Sequence, residues 1–192
     1  MNSPSSAPEP RHGRGILQRL RRDRQGATAI EFALVFPMVF LLTLGLIDFM
    51  LLLLDHHRAN EAARRAVRLA TILDPVAQLS SLESGNPITC TGSGSSVSCS
   101  SASVANNAGF GELVTEMQGI LPKLSAANLR VTYEHVGLGD KDMPGGILPM
   151  VSVELQDVEF SFIAISMVPG IPNSITLPAF RSSMVAGGSA PE

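Results

Sequence analysis

Residues 32–54 read FALVFPMVFLLTLGLIDFMLLLL, an apolar run in which Asp48 is the single charged residue. As an α-helix this run would extend roughly 34 Å, slightly more than the hydrocarbon core of a bilayer. It therefore predicts a transmembrane helix, which we place at residues 27–54. Pro37 lies inside the run. Proline breaks soluble helices, but membrane helices tolerate it because neighbouring groups satisfy the freed carbonyl.

The charge on the N-terminal side of this run differs in sign from that of the rest of the chain. Residues 1–26 carry six arginines and two acids, a net charge of +4, whereas the whole chain has a net charge of −3. Short basic blocks beside apolar spans face the anionic lipid of the cytoplasmic leaflet. We therefore predict a basic cytoplasmic leader over residues 1–26 and an extracytoplasmic C-terminal part. The margin is modest, because four arginines also follow the span: Arg58, Arg64, Arg65 and Arg68.

Two other interpretations of a basic block before an apolar run are disfavoured. A secretory signal peptide has an apolar region of about 7 to 15 residues that ends at a small-x-small cleavage site, and neither feature occurs here. Proteins that bind single-stranded nucleic acid combine basic grooves with aromatic stacking platforms. This chain has no tryptophan, and its one tyrosine is Tyr133. We therefore expect membrane lipid, and no nucleic acid, as the partner of the leader.

Beyond Leu54, apolar residues recur at spacings of three and four, which predicts a helical extension over residues 55–73. Most of the residues on this apolar face are small: Ala59, Ala62, Ala63, Ala66, Leu69, Ala70 and Leu73. Such a face suits close approach to a second helix or to the chain's own globular part. Asp74-Pro75 supplies a stop for the helix.

Residues 74–109 are rich in Ser, Gly and Asn, which predicts a long surface loop without regular structure. The segment contains both cysteines of the chain, Cys90 and Cys99. Structural zinc sites need four ligands at tight spacings, so a disulfide is the favoured interpretation, and two unpaired thiols are the alternative. A disulfide would persist only in an oxidising compartment, which agrees with extracytoplasmic placement.

Residues 110–186 carry the signals of a small α+β domain. A short helix is predicted from Phe110 to Leu121, since Pro122 stops it. Alternating apolar and polar residues predict strands over 129–135 and 151–155. The Gly- and Asp-rich residues 137–149 would join these two strands as a hairpin-like connection.

Two further segments add strands to this domain. Residues 158–165 could continue the second strand or form a third, and residues 175–185 are a weaker candidate that contains Pro178 and hence belongs at an edge. The expected fold class is α+β: a long N-terminal transmembrane helix that extends out of the membrane, then a small head with one helix on an antiparallel sheet of three or four strands. A disordered tail is expected over residues 187–192.

The sequence GATAIEF at residues 26–32 places a carboxylate, Glu31, five residues after Gly26 and directly behind the basic block. A carboxylate in a membrane costs several kcal/mol unless it lies at the interface or finds a partner, so it indicates a functional site by default. The alternative on local grounds is that Glu31 lies at headgroup depth and pairs with Arg24 or with water.

Residues 26–70 resemble the TadE-like domain of pilus-assembly proteins. The positions that carry the resemblance are Gly26, Ala27–Ala29, Glu31-Phe32-Ala33-Leu34, Pro37, Gly45, Asp48 and the run from Asn60 to Arg68. The resemblance implies that a prepilin peptidase cleaves between Gly26 and Ala27. It also implies that Glu31 neutralises the new N-terminal amine of a neighbouring subunit. Two groups that are each costly alone in lipid become tolerable as a pair.

The same resemblance implies a component of a tight-adherence secretion system, in which pilin-like proteins join a Flp-type filament or its base. The implied partners are other pilin-like subunits, the prepilin peptidase and the inner-membrane pilus assembly machinery. This chain is longer than a major Flp pilin, which has little beyond its helix. A minor pilin or pseudopilin with a periplasmic head therefore fits better than the main filament subunit.

The sequence has no arrangement typical of an enzyme, a metal site or a cofactor site. His57 and Glu61 share the i, i+4 spacing that can place two ligands together, but two residues are too few for a metal site. The Ser-rich residues 93–101 contain neither a nucleophile elbow nor a phosphate-binding motif. We expect no catalytic residues and no cofactor. The alternatives are a membrane-anchored extracytoplasmic binding module unrelated to pili and, less favoured, a membrane-tethered enzyme.

Overall fold

The computed structural model describes residues 24–139, 146–164, 166 and 170–187. The expected leader over residues 1–26 lies outside the described residues except for its last three positions, and the expected tail over 187–192 does so except for Gly187. The middle of the expected connection over residues 137–149 also lies outside them. The chain divides into two compact units, Met1–Leu46 and Ile47–Glu192.

The first element is a single helix, α1, from Arg24 to Ala70. It covers the predicted membrane span and most of the predicted extension without interruption. Between Gly26 and Leu46 almost every side chain is exposed, whereas from Ile47 onward buried residues recur at helical spacing. The helix ends three residues before the predicted position, in a closing turn in which the Ile72 and Leu73 N–H groups both donate to the Leu69 carbonyl.

The second unit contains five strands that form one antiparallel sheet. These strands are β1 (Ile88–Ser93), β2 (Ser96–Cys99), β3 (Leu129–Gly139), β4 (Ile147–Leu155) and β7 (Phe180–Val185), arranged in the order β2-β1-β3-β4-β7. Two short strands, β5 (Glu159–Ser161) and β6 (Ser174–Thr176), pair separately. A second helix, α2 (Asn107–Ile120), lies between β2 and β3 in the chain.

One hydrophobic core joins a face of the sheet to both helices. Along β3 and most of β4 the buried side chains alternate with more exposed ones, as the sequence predicted for a half-buried sheet, and Ser152 of β4 is buried as well. The alanine face of α1 belongs to the same core, so the chain's own globular part covers it. The core residues on α1 and on the two central strands are Ala59, Ala62, Ala63, Ala66, Val67, Ala70, Leu129, Val131, Tyr133, Val151, Val153 and Leu155.

The expected α+β class is confirmed, but the sheet is larger than the three or four strands that we expected. The predicted strands over 129–135 and 151–155 are present, paired antiparallel, and both are longer than predicted. The pairing shifts register between His135 and Gly139, where Gly139 has a φ of 74° that a residue with a side chain rarely adopts. This irregularity lies in the glycine-rich segment that we expected to be loop.

The expectation of a loop without regular structure over residues 74–109 is wrong. Strands β1 and β2 form a hairpin in this segment, and β1 pairs with β3 of the main sheet. The two-residue connection Gly94-Ser95 explains the hairpin, because Gly94 has a φ of 61° and glycine at the first central position favours a tight hairpin turn. Cys90 and Cys99 lie directly opposite each other and form the disulfide.

The predicted segments near the C-terminus also differ from the structure. Residues 175–185 do not form one strand: β6 ends at Thr176 and β7 begins at Phe180, with Pro178 between them. Proline cannot donate a ladder hydrogen bond, which explains the break. β7 does lie at an edge of the sheet, as predicted. The segment 158–165 contributes β5 to the small sheet and does not continue β4.

The helix expected from Phe110 to Leu121 is present as α2, and it begins three residues earlier. Its N-cap is Asn106, whose Oδ1 accepts a hydrogen bond from the Gly109 N–H at 2.8 Å. An asparagine at this position satisfies one of the free N–H groups of the first turn. The Leu121 N–H bonds back to the Met117 carbonyl immediately before Pro122, so the helix ends where the proline predicted.

Tyr133 connects the sheet to the segment that follows α1. Its side chain is buried in the core, and its hydroxyl oxygen accepts a hydrogen bond from the Val76 N–H at 3.0 Å. Burial raises the pKa of the phenol above its ordinary value of 10.0, and the hydrogen bond from Val76 lowers it by less. The neutral phenol is therefore the form that stabilises the fold.

The substitution Tyr133→Phe should lower the free energy of unfolding of the head by about 1–3 kcal/mol, because the buried Val76 N–H loses its acceptor. In the wild type, the raised pKa of Tyr133 contributes to the free energy of unfolding. This contribution is fully present below 10.0, the pKa of the unfolded state, and it is lost as the pH rises through the pKa of the folded state. Denaturant unfolding of both proteins at neutral and alkaline pH measures this. Equal midpoints at neutral pH would contradict the assignment.

Candidate functional site

The residues that we expected to carry processing and subunit pairing lie in the first turns of α1. Gly26, Ala27 and Glu31 are all exposed. Ala27 and Glu31 are four residues apart and hence lie on the same side of the helix, separated by roughly 6 Å along its axis. A side chain added at Gly26 would meet no atom within 4 Å. The fold of the described residues therefore does not require glycine there.

Glu31 forms no salt bridge with the side chains that the structure describes. The alternative pairing with Arg24 lies outside the described residues, because only the backbone of Arg24 is described. The carboxylate of Glu31 is thus exposed on a helix whose neighbouring side chains are apolar.

The first unit exposes an unusually apolar helical surface. Phe32, Phe36 and Phe40 stack along one side of α1, with ring centroids 5.3 and 5.8 Å apart. Within the described part of the chain, α1 is the one helix that is long and apolar enough to cross a membrane. Exposed apolar surface of this extent needs lipid or protein to cover it. The chain therefore has a single-pass membrane anchor near its N-terminus.

Asp48 is the acid inside the apolar run, and the head satisfies it. Asp48 is 1% exposed. Its Oδ1 accepts a hydrogen bond from the Ile163 N–H at 3.2 Å, and its Oδ2 accepts one from the Ala164 N–H at 2.9 Å. Backbone N–H groups are good hydrogen-bond donors to a carboxylate. A loop of the head thus surrounds the charge of the helix.

A second acid on the same side of α1, Asp55, binds a lysine of the head. Its Oδ2 lies 2.5 Å from Nζ of Lys123, and the carboxylate is largely buried while the lysine is about half exposed. The same Nζ lies 4.8 Å from the ring centroid of Phe160, a cation–π geometry. Asp48 and Asp55 are seven residues apart, so both face the head together with the alanines.

The opposite side of α1 beyond the apolar run is polar and basic. The exposed residues there are His57, Arg58, Asn60, Glu61, Arg64, Arg65 and Arg68. Glu61, which has the i, i+4 spacing to His57, contacts Arg65 instead: its Oε1 accepts a hydrogen bond from Nε of Arg65 at 3.1 Å. No group of three possible metal-ligating side chains occurs among the residues that the structure describes.

A surface cleft of about 780 Å³ opens where α1 ends, between the Ala70–Ser80 segment and the start of β4. Its lining is mainly apolar, and Asp74 is the sole charged residue among the described residues that line it. General acid–base chemistry needs titratable groups that converge on one reacting position. The lining of this cleft does not supply such a pair.

The comparisons with known proteins concern the same helix. Residues 26–68 match the family model described as TadE-like protein. No curated protein and no solved structure matches the chain. The match confirms the resemblance to the TadE-like pilus-assembly family, and it covers the anchor and the alanine face of α1. The similarity to TadE-like proteins is thus confined to α1, and the rest of the chain lies outside the matched residues.

The TadE-like segment contains contacts that the sequence pointed to without revealing their partners. Asp48 was noted as the single charge in the apolar run, and an intramembrane acid is a functional signal by default. Its partners, the N–H groups of Ile163 and Ala164, lie more than a hundred residues further along the chain. A backbone N–H donor cannot be recognised from a sequence motif, because every residue except proline has one. Only the folded chain shows which segment reaches the acid.

The substitution Asp48→Leu should leave the anchor inserted and loosen the loop at Ile163. It removes both acceptors, and a buried donor such as the Ala164 N–H costs about 1–3 kcal/mol when it is left without a partner. We expect faster amide hydrogen exchange at Ile163 and Ala164 and a lower unfolding midpoint of the head.

The matched control is Glu61→Leu, which removes the same charge from the same helix. Glu61 belongs to an exposed i, i+4 pair, and such pairs contribute about 0.3–0.5 kcal/mol. Exchange at Ile163 and Ala164 should therefore not change in the control. Unchanged exchange at these two amides in Asp48→Leu as well would show that the acid does not hold the loop.

Proposed function

We propose that the protein is a minor pilin or pseudopilin of a tight-adherence, Flp-type pilus assembly and secretion system. The observation that carries the proposal is the coincidence of three features on one helix. The TadE-like segment begins at Gly26, α1 exposes an apolar surface on all sides in its first unit, and Glu31 is exposed within that surface. A helix of this kind can pack laterally against other pilin-like helices.

The protein would be a single-pass component of the bacterial inner membrane, with its N-terminus in the cytoplasm and its head in the periplasm. The basic residues before the span support this orientation, because arginines that flank a membrane helix favour the cytoplasmic side, where the lipid is anionic. The disulfide between Cys90 and Cys99 supports it independently. Disulfides persist in the periplasm and are rare in the cytosol.

The N-terminal segment would be removed by a prepilin peptidase between Gly26 and Ala27. Glycine allows close approach of a protein backbone, and the open space around Gly26 leaves that approach unobstructed by the described residues. Cleavage would create a new amine at Ala27. This amine would lie one helical turn from Glu31 in the same subunit and could reach Glu31 of a neighbour.

The role is structural and needs no cofactor. Lipid covers the anchor before assembly, and other pilin-like subunits replace part of that lipid afterwards. An amine or a carboxylate that is buried alone in a low-dielectric bundle is destabilising. Their pairing therefore stabilises one arrangement of neighbouring subunits relative to others. The prepilin peptidase and the inner-membrane assembly machinery would be the remaining partners.

The substitution Gly26→Val should leave a full-length precursor, because a β-branched side chain obstructs the peptidase at the residue before the cut. The fold offers room for valine at this position, so the protein should still insert. Gly45→Val is the matched control, since it adds the same side chain to the same helix, where a Cβ also meets no atom within 4 Å. N-terminal sequencing of membrane-purified protein from a peptidase-positive cell measures the outcome. A wild-type protein that begins at Met1 would contradict the cleavage.

The substitution Glu31→Leu tests the pairing role. The variant should insert and be cleaved, but the amine of Ala27 on a neighbour would lose its partner. Removing one member of a buried ion pair costs about 3–5 kcal/mol, which weakens a subunit contact by roughly a hundredfold or more. Glu31→Asp keeps the charge with a shorter reach and should be intermediate.

The measurement is co-purification of the tagged protein with its pilin partners from detergent-solubilised membranes, at matched expression of the three variants. Phe32→Leu serves as the control, because it changes a neighbouring exposed apolar residue without altering charge. Equal recovery of the partners with Glu31→Leu, Glu31→Asp and the wild type would reject the pairing role and leave Glu31 as an interfacial residue.

A further inference from the structure

Two arginines are exposed on the side of α1 that faces away from the head. Arg64 and Arg68 are four residues apart, so they lie one above the other, roughly opposite the buried Ala62 and Ala66. Neither arginine forms an ion pair with a side chain that the structure describes. Like charges at this spacing repel each other, so an acidic partner from outside the chain would stabilise this face.

The height of these arginines disfavours lipid as that partner. The apolar run ends at Leu54, and at 1.5 Å per residue Arg64 and Arg68 lie roughly 15 and 21 Å beyond it along α1. The headgroup layer on one side of a bilayer is only about 5–8 Å thick. Anionic lipid at the foot of the extension can reach Arg58, but it does not account for Arg64 and Arg68.

The outer side of α2 has the opposite charge at the same spacing. Glu112 and Glu116 are exposed, four residues apart, and neither forms an ion pair with a described side chain. Small residues fill the rest of this exposed side, which allows another helix to approach closely. They are Ala108, Gly111, Thr115 and Gly119.

Two contacts determine the height and direction of α2 relative to the extension of α1. At the start of α2, the Asn106 side chain donates to the Asp74 carbonyl at 3.4 Å, and shortly after its end Lys123 binds Asp55. The two helices are therefore antiparallel and occupy the same height. Because segments 55–74 and 106–123 are of similar length, Glu112 lies near the level of Arg68 and Glu116 near that of Arg64.

Both helices lie on one face of the main sheet, so their exposed sides point away from it in the same general direction. The ring of His56 on α1 is 4.9 Å from that of Phe180 on β7. Phe110 on α2 lies over Gly92 of β1, near the other edge of the sheet. The outer surface of the head thus presents a basic helix and an acidic helix side by side.

We propose that two copies of the chain pair through this surface, with α1 of each copy against α2 of the other. A twofold axis parallel to the membrane normal keeps both anchors in the same orientation and both heads at the same height. Arg68 then meets Glu112 of the second copy, Arg64 meets Glu116, and each contact occurs twice. Isolated exposed ion pairs contribute little to stability, whereas a network of several pairs contributes more.

This inference goes beyond the proposed function. The contacts that carry it lie in the head, and neither cleavage at Gly26 nor the pairing of Glu31 is part of it. The heads would pair in this way even in a protein without a role in pili, because the anchor alone holds both copies in one membrane.

The test uses charge reversal in two differently tagged forms of the full-length protein. One reversal is Arg64→Glu with Arg68→Glu, which makes both exposed faces acidic, and the other is Glu112→Arg with Glu116→Arg, which makes both basic. Each combination is expressed in cells without other pilus proteins. Membranes are solubilised in mild detergent, one tag is captured, and the recovery of the other tag is measured.

Two wild-type forms should co-purify. When both forms carry the same reversal, recovery should fall at least about tenfold, because every attractive pair becomes repulsive. When one form carries the arginine reversal and the other the glutamate reversal, every contact is attractive again and recovery should return. The matched control is Glu83→Arg with Glu159→Arg, which changes the charge of the head equally at two other exposed acids and should not lower recovery.

Several outcomes would overturn the proposal. Wild-type forms that do not co-purify would mean that a different partner covers these faces. Loss with the arginine reversal but not with the glutamate reversal would indicate lipid or another acidic molecule at α1. Failure of the mixed pair to recover, with unfolding midpoints equal to the wild type, would also reject the pairing. Loss with Glu31→Leu alone would place the contact between copies in the anchors instead.

Discussion

The alanine face of α1 packs closely within the core of the head. This packing determines which side chains of α1 from Ile47 onward meet the head. Ala59, Ala62 and Ala66 are completely buried, and a side chain that ends at Cβ lets a helix backbone approach the neighbouring layer closely. Interiors are packed to crystal-like density, so larger side chains at these positions would displace the helix. From Ile47 onward α1 is therefore a core element of the head.

This packing also sets the register in which the acids of α1 meet the head. Asp48 and Asp55 share the alanine side of the helix, and each finds a different partner there: two backbone N–H groups for the first and Lys123 for the second. A rotation of the helix by one residue would remove both sets of partners at once. Buried charges without partners are costly, so these contacts select one rotation of α1 even though they contribute little to net stability.

Two of the acids of α1, Glu31 and Asp48, differ in their surroundings. Asp48 is satisfied within its own chain, whereas Glu31 is exposed and forms no salt bridge with the described side chains. The contacts of Asp48 therefore belong to the fold of the head, whereas Glu31 makes no such contact with it. The difference follows from their positions. The second unit begins at Ile47, and Asp48 is its first buried residue, whereas Glu31 belongs to the first unit.

Local chemistry in the sequence determined the elements that depend on neighbouring residues alone. The apolar run 32–54, the alternating pattern along β3 and most of β4, and the stop at Pro122 each follow from side-chain polarity or backbone geometry. The Gly94-Ser95 turn was also present in the sequence, but its Ser- and Gly-rich context concealed the hairpin, because such composition is shared by flexible loops.

Only the tertiary structure decided which distant groups meet. Nothing in the local sequence links Asp48 to the Ile163 and Ala164 amides or Tyr133 to the Val76 N–H, because backbone donors are the same at every position and their availability depends on the packing around them. Likewise, the sequence indicated that the face from Ala59 to Ala70 needs a partner, whereas the tertiary packing decided that the chain's own head supplies it. A periodic apolar pattern specifies that a surface must be buried, and the partner that buries it is a property of the whole fold.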